Sequence, residues 1–446
     1  MSDRKPILTP ETLFSRESLW QSWLDVEAAL ARAQAEIGMI PEWAAADITA
    51  NAHIERIGAK ALQASIEETM APILSLTRLL SERSGKGGDY VHWGATTQNV
   101  MQTGRLLLMR QAHHEILSQL QRIFTLLGGL AEEHADTPMV ARTNRRHALP
   151  ITFGFKVASW IEELSRTYQR LSETEARVFR LPFGGAVGAM HTFGSQGRAL
   201  SAILARELDM GEMLVPSRVV NDLFVEYVVG ISLLAMTIER VALELYTLME
   251  EEISEVSEVL AKGVVGSSTM PHKVNPKRVV GVIATCARLR ALAAPAMEAG
   301  RPSHEADAAA NGLLAQVMED SCRMGWELTR NFTNLLEQLV VHPERMLANL
   351  EMSGPALASE NLMMALAAHT GRNRAHDIIH HVIEQAGGKN IGEALANDPQ
   401  ISGELSAWRI AALLDATAYT GESAPIAREA ALLGQTLAKE IEQRFK

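Results

Sequence analysis

Apolar residues recur at three- and four-residue spacings along almost the whole chain, the pattern of amphipathic helices. In LWQSWLDVEAALARAQAEIG, Trp20, Trp23, Leu24, Ala28 and Ala31 form one apolar stripe with charges opposite, and Gly38 and Pro41 close the segment. Two more long helices are predicted, from Met101 to about Glu133 and from Ile151 to about Phe179. No proline occurs between Pro216 and Pro271. The stretch LFVEYVVGISLLAMTIERVALELYTLMEEEISEVSEVLA within it reads as about forty helical residues broken by one glycine, a rod of roughly 60 Å. Rods of this length exceed what one globular core needs and predict a bundle shared between subunits. Alternating strand patterns are not convincing anywhere, so the expected fold class is all-α with marginal β content.

Five stretches interrupt the helices: GKGGDYVHWGATTQ, TPMVARTNRRHALP, LPFGGAVGAMHTFGSQG, GSSTMPHKVNPKR and RPSHEADAAANG. Each reads as a loop, and loops held by a rigid scaffold are where chemistry concentrates. In the fourth, Gly266 frees the backbone for a tight turn or a close approach to a ligand. Ser267 and Ser268 offer hydroxyls and amides, Lys273 a point charge, Asn275 an amide, and Pro276 a stop. That set suits a carboxylate, with donors for its oxygens and a cation for its charge. A polar connection between helices is the other reading of the same residues. A phosphate-binding G-x-x-x-x-G-K-[ST] is missing.

Composition narrows the picture. Of 446 residues, 47% are hydrophobic and 21% charged, as in an ordinary soluble globular protein with room for several domains. A formal charge of −11 argues against a nucleic-acid partner. Cys286 and Cys322 are the only cysteines, which fits a reducing compartment and no disulfide framework. MSDRKPILTPETLF has no apolar signal core, and Glu239, Arg240 and Glu244 interrupt the most apolar helix. A cytoplasmic protein with no membrane partner is therefore expected. His113–His114 and His380–His381 are adjacent pairs without metal-motif spacing, and HEAD at 304–307 lacks a second histidine, so no metal site is expected. The acidic run MEEEISEVSE, 249 to 258, reads most simply as a solvated helix face, although its glutamates are candidates to orient Lys273 or Ser267.

GSSTMPHKVNP is similar to the signature G-S-S-x-M-P-x-K-x-N-P of the fumarase/aspartase superfamily, with every fixed position filled. The chain also resembles that superfamily's adenylosuccinate lyase and 3-carboxy-cis,cis-muconate cycloisomerase branch over nearly its whole length. WLDVEAALARAQAEIGMIP, YVHWGATTQNVMQTG, ALPITFGFKVASW, LPFGGAVGA, SENLMMALAAHTGRNRAH and LLDATAYTGESA carry this likeness. The resemblance implies an all-helical fold in three domains, here about 1–103, 104–350 and 351–446. It further implies a homotetramer whose active sites each take loops from three subunits, and a reaction that needs no cofactor.

The implied reaction removes a group β to a carboxylate, usually releasing fumarate, or runs the related addition as a cycloisomerisation. Position by position, Ser267 corresponds to the general base, activated by its surroundings. Lys273 and Asn275, with Ser268 and Met270, would hold the carboxylate, and Thr96, Thr97 and Gln98 would grip the same end of the substrate. Arg142, Asn144 and Arg146 fall in a further substrate-binding segment. His92, His147 and His191 are each in a loop that the family brings to the site, and each is a candidate proton donor.

The departures are informative too. Adenylosuccinate lyases carry a general-acid histidine in G-R-T-H-x-Q, where this chain has Ala141-Arg142-Thr143-Asn144-Arg145-Arg146. Asn144 donates a hydrogen bond but delivers no proton. An N-terminal Arg-Tyr pair aligns with Leu13-Phe14, and a His-Asp pair falls near Glu68-Thr69. The branch's Gln-Arg-Asp-Arg string becomes Val220-Asn221-Asp222-Leu223, which keeps only the Asp. Adenylosuccinate is thus disfavoured. The leading expectation is β-elimination, C–N ahead of C–O, on another succinyl-type polycarboxylate. A carboxymuconate cycloisomerase and a catalytically silent relative are the alternatives. If Arg145 and Arg146 face the site, they favour a more anionic substrate.

Overall fold

In the computed structural model, which describes residues 8–259, 267, 269–270, 272–387 and 390–445, the helical periodicity becomes helix almost throughout. In chain order, the first long elements are α1 (Arg16–Glu36), α2 (Thr97–Glu133), β1 (Pro138–Thr143), β2 (Arg146–Thr152), α3 (Phe153–Val178) and α4 (Asp222–Leu248). They are followed by β3 (Val256–Glu258), α5 (Arg278–Arg290), α6 (Ala308–Glu337), β4 (Leu339–Val341), α7 (Ser359–Thr370), α8 (Arg372–Ala386) and α9 (Ser423–Arg444). Shorter helical turns fill the intervals. Ser15 starts α1 by accepting the Ser18 N–H, and the expected stripe of Trp20, Trp23, Leu24, Ala28 and Ala31 is buried.

The chain divides into two compact units. One comprises Met1–Gln119, Thr167–Glu239 and Ala284–Arg330; the other comprises Leu120–Arg166, Arg240–Ile283 and Asn331–Lys446. In the first unit, Leu106, Met109, Ile116, Leu171, Tyr227, Ile231 and Leu328 are fully or almost fully buried. Gly325 lets these helices close up, since a Cβ there would meet Ile231 at 3.1 Å and Ile116 at 3.2 Å. In the second unit, Phe124, Phe153, Trp160, Ile161 and Leu245 are buried, with Phe153 and Trp160 meeting edge to face. A separate cluster of Leu362, Leu366, Ala375, Leu395, Ile401 and Ile410 underlies α7 and α8.

Two expectations need correction. The forty-residue rod does not form: α4 stops at Leu248, after 27 residues, about 40 Å. Beyond it the chain turns through Ser254, whose φ is 51°, and β3 pairs antiparallel with β4. Tertiary pairing overrides the helical propensity of the acidic run, and Glu255 and Glu258 are buried, not solvated. TPMVARTNRRHALP is also not a loop. It is the antiparallel hairpin β1–β2, with Thr143 opposite Arg146. Asn144 and Arg145 form its two-residue turn at φ 50° and 62°, the left-handed pair that matches strand twist. The register shift between Val140 and Arg142, and Pro150 opposite Val140, disguise the alternation in sequence.

Among the described residues, one helical stretch, Arg278–Ala299, is long and apolar enough to cross a membrane by length and composition alone, and 28% of its apolar 18-residue portion is buried within the chain. Val280 and Met297 are among its exposed residues.

Candidate active site

Two buried polar side chains on α1 organise the loop that carries His92. Glu27 and Gln34 are seven residues apart and thus share a face of the helix. Glu27 Oε1 lies 2.6 Å from His92 Nδ1, and Gln34 Nε2 donates to the Trp93 carbonyl at 2.7 Å. The Glu27 side chain is 1% exposed and that of His92 23%, so a buried carboxylate faces a ring still open to solvent. Burial acts against charging His92, but the hydrogen bond and the charge of Glu27 outweigh it and raise the imidazole pKa. Nδ1 is engaged by Glu27, which leaves Nε2 as the nitrogen that can give a proton outward. His92 itself sits at φ 59°, a left-handed conformation that non-glycine residues seldom adopt. Because the folded-state value is raised, this pair adds stability below the ordinary imidazole pKa and loses it as pH rises through the raised value.

The same unit fastens a second loop to this one. Thr192 Oγ1 donates to the Gly94 carbonyl at 2.8 Å. Gly94 needs to be glycine twice over, with φ at 74° and Phe193 so close that a Cβ would sit 2.5 Å from its ring. Asn99, 1% exposed, donates to the Pro182 carbonyl at 3.2 Å and accepts the Gly185 N–H at 2.9 Å. Thr96, Thr97 and Gln98 lie between His92 and Asn99, where α2 begins, so its N-terminal amides and dipole favour an anion. His191 is exposed at the start of a short 3-10 helix, His191–Gln196.

In the other unit, the β1–β2 hairpin is fixed from behind. Arg142 makes a bidentate pair with Glu255, at 3.0 and 2.7 Å, and Asn349 Nδ2 donates to the same carboxylate at 2.8 Å. Val140 of β1 packs with Leu350 and Leu357 in a small buried cluster. Glu255 has no exposed surface, so removing it would strand the Arg142 guanidinium in a part-buried setting. Glu255→Ala is expected to cost about 3–5 kcal/mol in denaturant unfolding. A loss below about 1 kcal/mol would mean that the pair does not hold the hairpin.

His147, on β2, places Nδ1 2.7 Å from Ser353 Oγ. It opens onto a cleft of about 500 Å³ lined also by Leu149, Ala356, Leu357, Ser359 and Glu360. Burial, then the Arg142 charge, lower its pKa, with Glu255 opposing and Arg146 adding. The lowered pKa favours the neutral form of the His147 imidazole. Asn144, Arg145 and Arg146 are exposed at the hairpin tip.

The signature segment belongs to this unit as well. Glu258, at the end of β3, accepts the N–H groups of Lys277, Arg278 and Val279 at 2.8–3.1 Å, capping α5 and tying the two flanks of the segment together. Within the segment, Ser267 is half-buried, and its Oγ accepts N–H groups from Met270 at 3.1 Å and Thr269 at 3.4 Å. Amide donors aimed at a hydroxyl oxygen stabilise its deprotonated form more than its neutral one. Met270 and Lys273 are exposed, and Asn275 is half-buried. Ser268 and Gly266 lie outside the described residues.

Two family models match the chain: one described as lyase over residues 9–290, and one described as adenylosuccinate lyase C-terminus over 355–430. A trans-aconitate decarboxylase from Mycosarcoma maydis is 32% identical, over 92% of this chain and 84% of its own. An N-acetyl-S-(2-succino)cysteine lyase from Enterococcus italicus is 32% identical over 89% of this chain and 88% of its own. The crystal structure of 3-carboxy-cis,cis-muconate lactonizing enzyme from Pseudomonas putida superposes with a TM-score of 0.89 at 32% identity, covering 96% of this chain and 97% of that one. The chain belongs to the fumarase/aspartase superfamily of lyases.

As a superfamily enzyme it is all-helical apart from two small two-stranded sheets among the described residues. The structure brings His92 together with Thr96–Gln98 in one unit. It places Arg142, Asn144, Arg146 and His147 on one hairpin in the other unit, which also carries Ser267, Met270, Lys273 and Asn275. Four organising residues were not singled out from sequence, Glu27, Gln34, Asn99 and Ser353, while Glu255 and Glu258 were considered only as members of the acidic run. The signal for Glu27 and Gln34 was present, as polar residues seven apart on the apolar side of α1. Both cysteines are buried, with Cys286 pushed up to about 12 and Cys322 higher still by burial, so neither is a nucleophile at neutral pH.

Proposed function

We propose that this superfamily enzyme is a β-eliminating lyase that cleaves a carbon–heteroatom bond in a succinyl-type polycarboxylate and releases fumarate. Nitrogen is the leading candidate for the leaving atom. Sulfur is next, since a relative named for a succinylated cysteine is 32% identical. Ser267 acts as the base, its oxyanion supported by the Thr269 and Met270 amides. Taking the proton beside a carboxylate builds a second negative charge on that carboxylate. Lys273, Asn275 and Ser268 meet that charge, together with Thr96, Thr97 and Gln98 at the N-terminus of α2. His92 Nε2 protonates the leaving atom. Arg142 positions the hairpin through Glu255, while Arg146 and His147 receive the outer part of the substrate.

The Glu27–His92 pair carries this reading. A relative that has lost the family's general-acid histidine needs another proton source to expel an amine, and a solvent-facing imidazole whose pKa is raised by a hydrogen-bonded, buried carboxylate is one. It also weighs against a silent relative, because burying an unneeded carboxylate is costly. The second reading, a cycloisomerase that releases no fragment, is favoured by the likeness to the muconate lactonizing enzyme.

The family architecture makes each site a product of several subunits, so we propose a homotetramer in which the His92 and Ser267 loops of one site come from different chains. The exposed Met236, Leu243 and Tyr246 of α4, spaced seven and three apart, give that helix an uncovered apolar stripe suited to a second copy. Leu243→Glu is expected to shift light-scattering mass from tetramer to smaller species and to remove activity with it.

Fumarate absorbance in the ultraviolet tests the reaction. Wild type is offered N-succinyl and S-succinyl adducts, adenylosuccinate and carboxymuconate, with Ser267→Ala as the blank. Fumarate from a succinyl adduct with wild type alone is the expected result. Turnover of carboxymuconate without fumarate would transfer the assignment to the cycloisomerase, and inactivity across the panel would favour the silent relative.

A further inference from the structure

We propose that α8 carries a surface site for a late divalent transition-metal ion, Zn²⁺, Ni²⁺ or Cu²⁺, held by Nε2 of His376 and Nε2 of His380. The adjacent pair His380–His381 lacks the required spacing, but His376 and His380 are four residues apart and therefore one above the other on the helix. Their rings are near-parallel, 24° between planes, with centroids 5.9 Å apart. This is the spacing by which two histidines on a single helix share one ion in H-E-x-x-H sites.

The surroundings of the two rings match what metal-bound histidines use. His376 Nδ1 faces Asp377 Oδ1 at 3.4 Å, and His380 Nδ1 faces Glu384 Oε2 at 3.9 Å. A ligating histidine commonly turns its second nitrogen toward a carboxylate, which fixes the ring and makes the other nitrogen a better ligand. His376 Nδ1 is within hydrogen-bond range of its carboxylate, the Glu384 carboxylate lies farther from His380 Nδ1, and both rings offer Nε2. The side chains of His376 and His380 are 56% and 68% exposed, so an ion reaches them without any opening of the fold. Imidazole nitrogens select zinc, nickel and copper over magnesium and calcium.

Among the described residues no group of three or more potential ligands converges on one point. Water fills the remaining coordination positions, the ion exchanges with solvent, and its structural effect is to staple one turn of α8. None of the residues assigned to the reaction takes part. His381 supplies an internal control, because its Nε2 lies 2.8 Å from Gln385 Nε2 on a neighbouring face.

Calorimetric titration of the full-length protein, stripped of metal, with Zn²⁺ and separately with Cu²⁺ tests the site, using Mg²⁺ as the comparison ion. One equivalent per chain is expected for wild type and for His381→Ala. His376→Ala and His380→Ala are each expected to bind at least about tenfold more weakly. Copper electron paramagnetic resonance is expected to show two coupled nitrogens in wild type and one in either variant. The proposal is overturned by any of three results: no saturable one-equivalent binding to wild type, undiminished binding after loss of His376 or His380, or an equal loss on replacing His381.

Discussion

Replacing Ser267 with alanine is expected to lower kcat by about 10²–10⁴, the usual span for a positioned base, while leaving the affinity for a dicarboxylate product almost unchanged. The asymmetry follows from the geometry. Ser267 Oγ receives two amide N–H groups, an arrangement that matters most once the oxygen is charged. Lys273 and Asn275, proposed to meet the carboxylate in both ground and transition states, are unchanged in this variant. Lys273→Met is the informative contrast, since it removes charge from both states and should raise KM as well as lower kcat. Steady-state kinetics on the substrate found by the fumarate assay separates the two patterns. A Ser267→Ala enzyme with full kcat would remove this serine from the chemistry.

The second large effect concerns the proton donor. His92→Asn is expected to lower kcat by about 10²–10³ for a poor leaving group such as an alkylamine, and by far less for an acidic leaving group that departs without protonation. A base variant shows no such rescue, so the leaving-group series distinguishes the two roles. Activity should fall as pH rises above the raised His92 pKa, because the acid is then deprotonated. Glu27→Gln keeps a hydrogen-bonding side chain but removes the charge, so this basic limb should move to lower pH with kcat reduced. A pH–rate profile in which the limb stays put in Glu27→Gln would show that another group titrates there. Thermal unfolding of the same variant checks that the fold is intact.

Much of this molecule was legible in the sequence. The helical periodicity placed α1, α2 and α3 within a few residues, because each buries one regular apolar stripe with turn residues at its ends. The signature segment stood out through its likeness to G-S-S-x-M-P-x-K-x-N-P, because its residue types alone also suit a polar connection between helices. The end of α4 was not legible. Nothing in MEEEISEVSE marks residue 248 as a stop, and β3 exists only because β4, more than eighty residues later, pairs with it. The hairpin escaped for a different reason. Its turn is Asn-Arg instead of Asn-Gly, and a register shift breaks its alternation. The carboxylates that hold the site were hidden by their company. Glu255 and Glu258 stand in a run of acids that looks solvated, and only tertiary structure turns one toward Arg142 and the other toward the amides of α5. Glu27 is the instructive case, since a lone acid on an apolar helix face needs a partner, although its sequence does not say which.

Hydrogen exchange at the substrate carbon is the most direct test of the central claim. With the succinyl substrate in D₂O, followed by proton NMR, wild type should lose the hydrogen beside the carboxylate and form fumarate. Ser267→Ala should do neither, even when calorimetry shows the substrate bound. Fumarate formation or deuterium uptake at the wild-type rate in Ser267→Ala would contradict the account.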